Sequence, residues 1–317
     1  MAGTLIKWRR NYPIPMKENV STDKLSYLLK QLTEQPLGTD LSDMALSSLA
    51  RSYIAVHNMV VVLDQEKEYG SREFYRQRID ELYAICDDRL NEPGFDLECR
   101  VPLIYMLYQL LLNPTLCAVD SEKQQRCDTL AYEAVRNYLQ ELSVGRLNEK
   151  PKMEFEICRL IVELCCDLDE AEREEEEMML HFRGKLATWT DALVNGDHWI
   201  GISDCEALQR LLLLCRNSDM LLDTTYDYQL RCLWEYYSKR VLFLDKKSIV
   251  SYQVLALFYE ITSSISLASL APRLKQQIME LMFHGSETFP KNSEEQIFCL
   301  AWALKGICRQ CLQETLV

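Results

Sequence analysis

Six strongly apolar helical segments recur along this chain of 317 residues at a nearly constant interval, and a more polar amphipathic segment precedes each one. Their centres lie near Leu49, Leu103, Leu160, Leu211, Leu255 and Leu304. A period of about 45 to 55 residues is typical of helix-pair repeats, because stacked pairs bury faces that no single pair can bury. The sequence therefore predicts an all-α fold of about twelve helices in six helical hairpins. Six hairpins can form a closed or nearly closed α/α toroid or, alternatively, an open α-solenoid.

The spacing of apolar residues gives approximate boundaries for these helices. The predicted ranges are 21–34, 41–65, 71–91, 98–113, 121–143, 152–168, 170–194, 204–216, 224–241, 247–265, 270–284 and 293–313. Every second range, beginning with 41–65, is apolar on most faces, so these helices are expected to form an inner layer and the others an outer layer. Residues 1–20 contain Pro13 and Pro15, which favour an extended strap. Residues 21–317 are expected to form one all-helical domain.

The charge of the chain restricts its partners. The formal net charge is -13, and such a field repels phosphate backbones, so neither nucleic acid nor an anionic membrane is the expected main partner. One basic cluster, Lys7-Trp8-Arg9-Arg10, stands in the N-terminal strap and is interpreted as a solvated tail with one anchoring tryptophan. A protein or peptide partner is therefore expected rather than nucleic acid, and it is favoured over a small molecule.

The cysteines indicate a reducing compartment. There are thirteen of them, an odd number, and most are scattered among apolar neighbours within predicted helices, where cysteine acts as a small hydrophobic residue. The N-terminal residues lack the continuous apolar stretch of a signal peptide, and no continuous apolar run reaches the roughly 18 residues needed to cross a bilayer. A cytoplasmic location is the resulting expectation.

The loops that lead into the inner-layer helices resemble one another. Each carries an Asp, Asn or Ser that can cap the following helix, and Ser293 with Gln296 fits the capping box. In an antiparallel layered repeat these loops emerge on the same rim, next to the positive ends of the inner helix dipoles. Asp40, Asp96 and Asp204 belong to these loops, so the sequence predicts that they contribute to a ligand-binding rim.

The longest of these loops, residues 194–201, is the most site-like stretch in the chain. It combines Asp197, His198 and Trp199 with two glycines, and binding residues concentrate on loops that a rigid scaffold positions. These three residues are therefore predicted to bind a ligand at the same rim. The alternative is a structural plug, in which Trp199 and Ile200 enter the core.

No motif in the sequence predicts a metal or a cofactor. Cys308-Arg309-Gln310-Cys311 is a C-x-x-C, but a structural zinc site usually needs a second spaced pair, and the histidines are isolated. A thioredoxin-type site would require this motif at a helix start after a strand. The sequence also lacks a glycine-rich phosphate loop, a G-x-S-x-G elbow and an H-E-x-x-H motif.

The period and the helix count resemble those of toroidal α/α enzymes, among them the lanthionine-cyclase-like proteins and several glycosidase families. Lanthionine cyclases hold zinc with a cysteine and a Cys-His pair, and no adjacent Cys-His occurs in this chain, so no family is assigned. The predicted function is that of a cytoplasmic helical binding or scaffold protein without catalytic activity. The alternative is a toroid enzyme that acts on carbohydrate or peptide through carboxylates on the inner-helix rim. A concave pocket lined by Asp or Glu with raised pKa values would favour the enzyme.

Overall fold

The computed structural model describes residues 22–38, 40–92, 97–111, 121–144, 151–165, 177–195, 202–217, 223–241, 248–264 and 271–315. Within these ranges the chain is helical and contains no strand. The predicted all-α class is thus confirmed. The predicted strap over residues 1–20 lies outside the described residues, and the assignment of residues 21–317 to one domain stays a prediction.

Thirteen helices account for the described ranges. They are α1 (Thr22–Thr33), α2 (Asp43–Leu63), α3 (Glu66–Tyr69), α4 (Arg72–Leu90), α5 (Leu97–Leu111), α6 (Ser121–Ser143), α7 (Pro151–Cys165), α8 (Glu177–Asn195), α9 (Ile202–Asn217), α10 (Asp223–Arg240), α11 (Ile249–Ser264), α12 (Ala271–Thr288) and α13 (Glu294–Thr315). Twelve of them correspond to the twelve predicted helices. Their ends agree with the predicted ends to within a few residues wherever the predicted end lies among the described residues. The single turn α3 was not predicted.

The described helices divide into two compact units. The first unit contains α1 to α3, α4 as far as Ile85, and α11 to α13. The second contains the end of α4 from Cys86, α5 to α9, and α10 as far as Tyr236.

In the first unit α13 is the central helix, and it packs against α1, α2, α11 and α12. At its interface with α12, the side chain of Met279 lies where a Cβ atom at Gly306 would be. Further along the same interface, a Cβ at Gly285 would lie 2.7 Å from Sγ of Cys299. The two contacts show that α12 and α13 run antiparallel with a fixed register.

Polar contacts join the first helices of the chain to the last ones inside this unit. Lys24 of α1 forms an ion pair with Glu280 of α12 at 2.6 Å. The amide of Gln35 donates to Oε1 of Gln296 at 3.2 Å, and both side chains are buried. Ser293 accepts a hydrogen bond from the backbone N–H of Gln296 at 3.2 Å, which confirms it as a cap of α13.

Among the described helices, α2 alone is long and apolar enough to cross a membrane by length and composition. The sequence has no continuous apolar run of that length, since Arg51 and several polar residues interrupt α2, yet its average composition meets the test. Of its most apolar window, 56% is buried inside the protein, where α13 covers it. A core helix of a folded unit meets the same test.

In the second unit α7 is the central helix and packs against α5, α6, α8 and α9. Its apolar stripe is buried as expected, with Ile157, Leu160 and Ile161 inaccessible to solvent. The ring of Phe155 lies 4.0 Å from that of Trp189 on α8, measured between centroids. Because α7 is apolar on most faces and is covered by its neighbours, its charged residues Glu154, Glu156 and Arg159 are buried as well.

Candidate functional site

The structure describes only part of the predicted ligand-binding rim. Asp96, Asp197, His198 and Trp199 lie outside the described residues. The backbone of Asp204 lies in α9, close to its start at Ile202, but its side chain is not among those described. Asp40 is exposed in the loop before α2, where its carboxylate lies over the α-carbon of Gly38. The rim therefore stays a prediction.

A groove of about 400 Å³ lies between α5 and α6 of the second unit. It is lined by Leu97, Arg100 and Ile104 of α5 and by Leu130, Glu133, Ala134, Asn137, Gln140 and Glu141 of α6. Ile104 and Ala134 are buried and form an apolar floor, whereas Asn137 and Gln140 are exposed at the edge. The groove thus combines an apolar floor with a polar rim.

The rim of this groove offers hydrogen-bonding groups and charges of both signs. Glu133 and Glu141 of α6 supply two carboxylates, and Arg100 of α5 supplies one guanidinium. Pro102 lies inside α5 and has no N–H to donate to the carbonyl of Glu98. The groove is therefore able to bind a ligand through an apolar group, amide hydrogen bonds and charge.

Close to this groove in the chain, α7 carries a buried ion pair. The side chain of Arg159 is 2% exposed, and its guanidinium lies 2.5 Å from the carboxylate of Glu156, one turn earlier on α7. The same guanidinium stacks over the ring of Tyr105 on α5, 3.4 Å from the centroid. Its Nε has no hydrogen-bond partner among the described residues. Burial alone would lower the pKa of an arginine, but Glu156 and Tyr105 keep the pKa of Arg159 raised.

Glu163, one turn after Arg159, has a raised pKa that could not be predicted from the sequence. Burial raises its pKa to about 7, although the nearby positive charge of Arg159 acts to lower it. Tyr108 of α5 donates to a carboxylate oxygen of Asp128 on α6 at 2.7 Å, and burial and Asp128 raise the pKa of Tyr108. Buried groups with such shifts cluster at functional sites, so this group of residues is a second candidate site.

A third acidic residue of α7 has a structural role. Glu154 is buried, accepts a hydrogen bond from the hydroxyl of Tyr138 on α6 at 3.0 Å and pairs with Lys185 of α8 at 2.6 Å. These bonds fix α7 between its two neighbours and satisfy a carboxylate that burial would otherwise destabilise.

The spacing of these acidic and basic residues could have been noticed in the sequence, but α7 was interpreted from its apolar residues alone. Glu156, Arg159 and Glu163 follow helical spacing, so they share one face of α7. Opposite charges at this spacing on a largely apolar helix indicate a buried ion pair or a functional site. The apolar residues of the same helix, taken alone, indicate only that it belongs to the core.

The thiols are placed as core residues rather than as nucleophiles or ligands. Burial raises the pKa values of Cys158, Cys299 and Cys308, and it raises that of Cys215 to about 12. Thiols with raised pKa values are poor nucleophiles at neutral pH. In the described part of the chain, no group of three or more His, Cys, Asp or Glu side chains could hold a metal ion.

Comparisons with known proteins give no relative from which a function could be transferred. No family model, no curated protein and no solved structure matches this chain. The groove and the charged groups of the two units are therefore the basis for the proposals that follow.

Proposed function

We propose that this protein is a helical binding or scaffold protein without catalytic activity, and that it holds a segment of a protein or peptide partner in the groove between α5 and α6. The observation that carries the proposal is the groove itself, with its apolar floor and polar rim. Its volume of about 400 Å³ lies within the range of known ligand pockets. It is open to solvent along the exposed amides of Asn137 and Gln140.

The chemistry of the groove favours a peptide over a compact small molecule. Side-chain amides both donate and accept hydrogen bonds, so Asn137 and Gln140 can bind a partner's backbone N–H and C=O groups. The floor at Ile104 and Ala134 suits an aliphatic side chain. Two carboxylates and one guanidinium line the groove, and the chain has a net charge of -13, so the expected segment carries a basic residue beside its apolar one.

A closed or nearly closed α/α ring is part of the same proposal. Its support is the packing of the first and last helix pairs, since α13 lies against α1 and α2. The Lys24–Glu280 ion pair adds a further link between those pairs. In an open solenoid the chain ends would lie apart.

The cytoplasm is the proposed location. Support comes from the ten cysteines that are free thiols in the described part of the chain, most of them buried. Free thiols in this number are usual in a reducing compartment.

The enzyme alternative has one specific observation in its favour. Glu163 has a pKa of about 7, and a carboxyl group that titrates near neutral pH can act as a general acid or base. A hydrolysis screen against carbohydrate and peptide substrates tests it. Activity that is lost in Glu163→Gln, with the fold intact, would support the enzyme over the scaffold.

The binding proposal is tested with a peptide library displayed against the full-length protein. Peptides with an apolar residue next to a basic one should be selected. Ala134→Trp fills the groove and should weaken their binding at least tenfold, whereas Tyr132→Trp, at an exposed position of α6 outside the groove, should leave it unchanged.

A second groove variant guards against misfolding of the first. Glu133→Lys reverses an exposed charge at the rim and should weaken peptides with a basic residue while helical content and melting temperature stay as in the parent. If the selected peptides bind Ala134→Trp and Glu133→Lys as tightly as the parent, the groove is not the binding site.

A further inference from the structure

We propose that Cys308 and Cys311 of α13 are a modification site, at which a peroxide converts the two thiols into a reversible disulfide. The two residues stand three positions apart on one continuous helix, which extends from Glu294 to Thr315. Both are thiols in this structure. They belong to the first unit and the groove between α5 and α6 to the second, so this proposal does not depend on the groove.

Helix geometry brings the two side chains together. Residues three positions apart on a helix share one face, and their Cβ atoms lie about 5 to 6 Å apart. A disulfide requires a Cβ separation of about 3.5 to 4.5 Å, and the Cα separation of about 5 Å that a helix gives at this spacing already suits it. The Cβ atoms of Cys308 and Cys311 therefore need to approach by only about 1 to 2 Å.

The end of α13 is able to supply this approach. In a 3₁₀ turn the side chains at positions i and i+3 eclipse each other, and the last turns of α-helices often adopt this form. Cys311 is four residues before the end of the helix at Thr315. Gly306 lies just before the pair, and a glycine inside a helix weakens it. The last turns can thus tighten around the two cysteines while the rest of α13 stays in place.

The two thiols differ in exposure, and this difference assigns their roles. Cys311 is half-buried, so a small oxidant can reach its sulfur from solvent. Cys308 is only 2% exposed. Burial raises the pKa of Cys308, and Cys311 raises it further. An accessible cysteine with a second cysteine beside it is the arrangement of a peroxide-reactive thiol and its resolving partner.

The surrounding tyrosines place both thiols on the same side of α13. Burial is the main cause of the raised pKa values of Tyr75 in α4 and Tyr69 in α3, and Cys308 adds to the first and Cys311 to the second. The two tyrosines are themselves in contact, since the hydroxyl of Tyr75 donates to the carbonyl of Tyr69 at 2.5 Å. Cys308 and Cys311 thus have neighbours that touch each other, as two thiols on one helix face should.

The reaction balances with hydrogen peroxide as the oxidant. The sulfur of Cys311 attacks one peroxide oxygen, so an S–O bond forms, the O–O bond breaks, and the leaving hydroxide takes up the proton of the thiol as water. The sulfur of Cys308 then attacks the sulfenic sulfur of Cys311. The S–S bond forms, the S–O bond breaks, and the hydroxyl leaves with the proton of Cys308 as a second water. The two sulfurs lose two electrons, and the peroxide gains them.

The disulfide is reversible, because a thiolate reductant can attack either sulfur and restore the two thiols. In the reducing compartment proposed above, the pair therefore rests as thiols and is oxidised transiently. Disulfides in such compartments are usually of this transient kind.

The test treats the reduced full-length protein with hydrogen peroxide, blocks the remaining thiols with N-ethylmaleimide and digests the product with trypsin. Trypsin cuts after Lys305 and after Arg309, which stands between the two cysteines. A disulfide between Cys308 and Cys311 joins peptide 306–309 to the peptide that begins at residue 310, and mass spectrometry detects the joined pair. Dithiothreitol added before the blocking step should abolish it.

Variants test the roles of the two thiols. In Cys308→Ser the sulfenic acid at Cys311 has no resolving partner, so its labelling by dimedone should rise about tenfold or more over the parent. In Cys311→Ser, labelling of the buried Cys308 should stay at background. The control is Cys232 of α10, which is half-buried and has no second cysteine on its helix. Cys232→Ser should leave the amount of the joined pair unchanged.

The joined pair is measured in the parent protein, so a variant that fails to fold does not decide the outcome. Absence of the joined pair after peroxide treatment would overturn the proposal. So would peptides 306–309 and 310 onwards that join to other cysteines, such as Cys299, as often as to each other.

Discussion

The ion pair between Glu156 and Arg159 offers the sharpest test of how the second unit is held together. In the variant Arg159→Met, an apolar side chain of similar length keeps the contact with Tyr105 but leaves the carboxylate of Glu156 buried without its partner. The side chains of the pair are 2% and 11% exposed, so water can compensate little. Breaking a buried pair on one side costs about 3 to 5 kcal/mol. Loss of the guanidinium from the face of Tyr105 adds about 1 kcal/mol.

The expected loss is a large part of the 5 to 15 kcal/mol by which a domain is typically stable, so urea unfolding followed by circular dichroism will detect it. The double variant Glu156→Leu with Arg159→Met removes both charges and should recover most of the loss, because an apolar pair of similar volume often equals a buried ion pair in stability. A coupling energy of at least about 2 kcal/mol between the two sites is therefore expected from the double-mutant cycle.

The reasoning would be refuted by a cost below about 1 kcal/mol for Arg159→Met, together with additive effects of the two changes. That outcome would mean that solvent reaches the pair and that it behaves as a surface ion pair. The matched control is Arg183→Met on α8, where the arginine is exposed and the change should cost less than about 0.5 kcal/mol.

Three further measurements test other parts of the structure. The pKa of Glu163 is raised from 4.5 to about 7, so the folded protein loses stability as the pH rises through this range, because the ionised carboxylate is disfavoured in its buried position. In urea unfolding, Glu163→Gln should therefore be more stable than the parent by about 2 to 3 kcal/mol at pH 8 and equal to it at pH 4. Gly285→Ala should cost about 1 to 3 kcal/mol, because the added Cβ would lie 2.7 Å from the buried Sγ of Cys299 and 2.7 Å from the ring of Tyr252, whereas Gly184→Ala, with open space around it in α8, should stabilise by about 0.5 to 1 kcal/mol; equal effects would show that the close approach is absent. Elemental analysis of the purified protein should find no tightly bound metal, and one zinc per chain would point to Cys308 and Cys311.

Much of the fold could be predicted because its signals are local. The apolar spacing within each segment depends only on helix geometry, and Ser293 caps α13 through a bond to a residue three positions away. Such features are present in any window of about fifteen residues. The same limit explains why α3 was missed, since one turn between longer helices has no apolar period of its own.

The groove and the buried ion pair depend on neighbours that the sequence does not identify. Ile104 and Ala134 form a floor because α5 and α6 pack in one register, and a shift of one residue would replace them. Arg159 is buried because Tyr105 covers it from another helix. A charged residue on an apolar helix is therefore informative only when the residue that covers it is known, which requires the packing of α5 on α7.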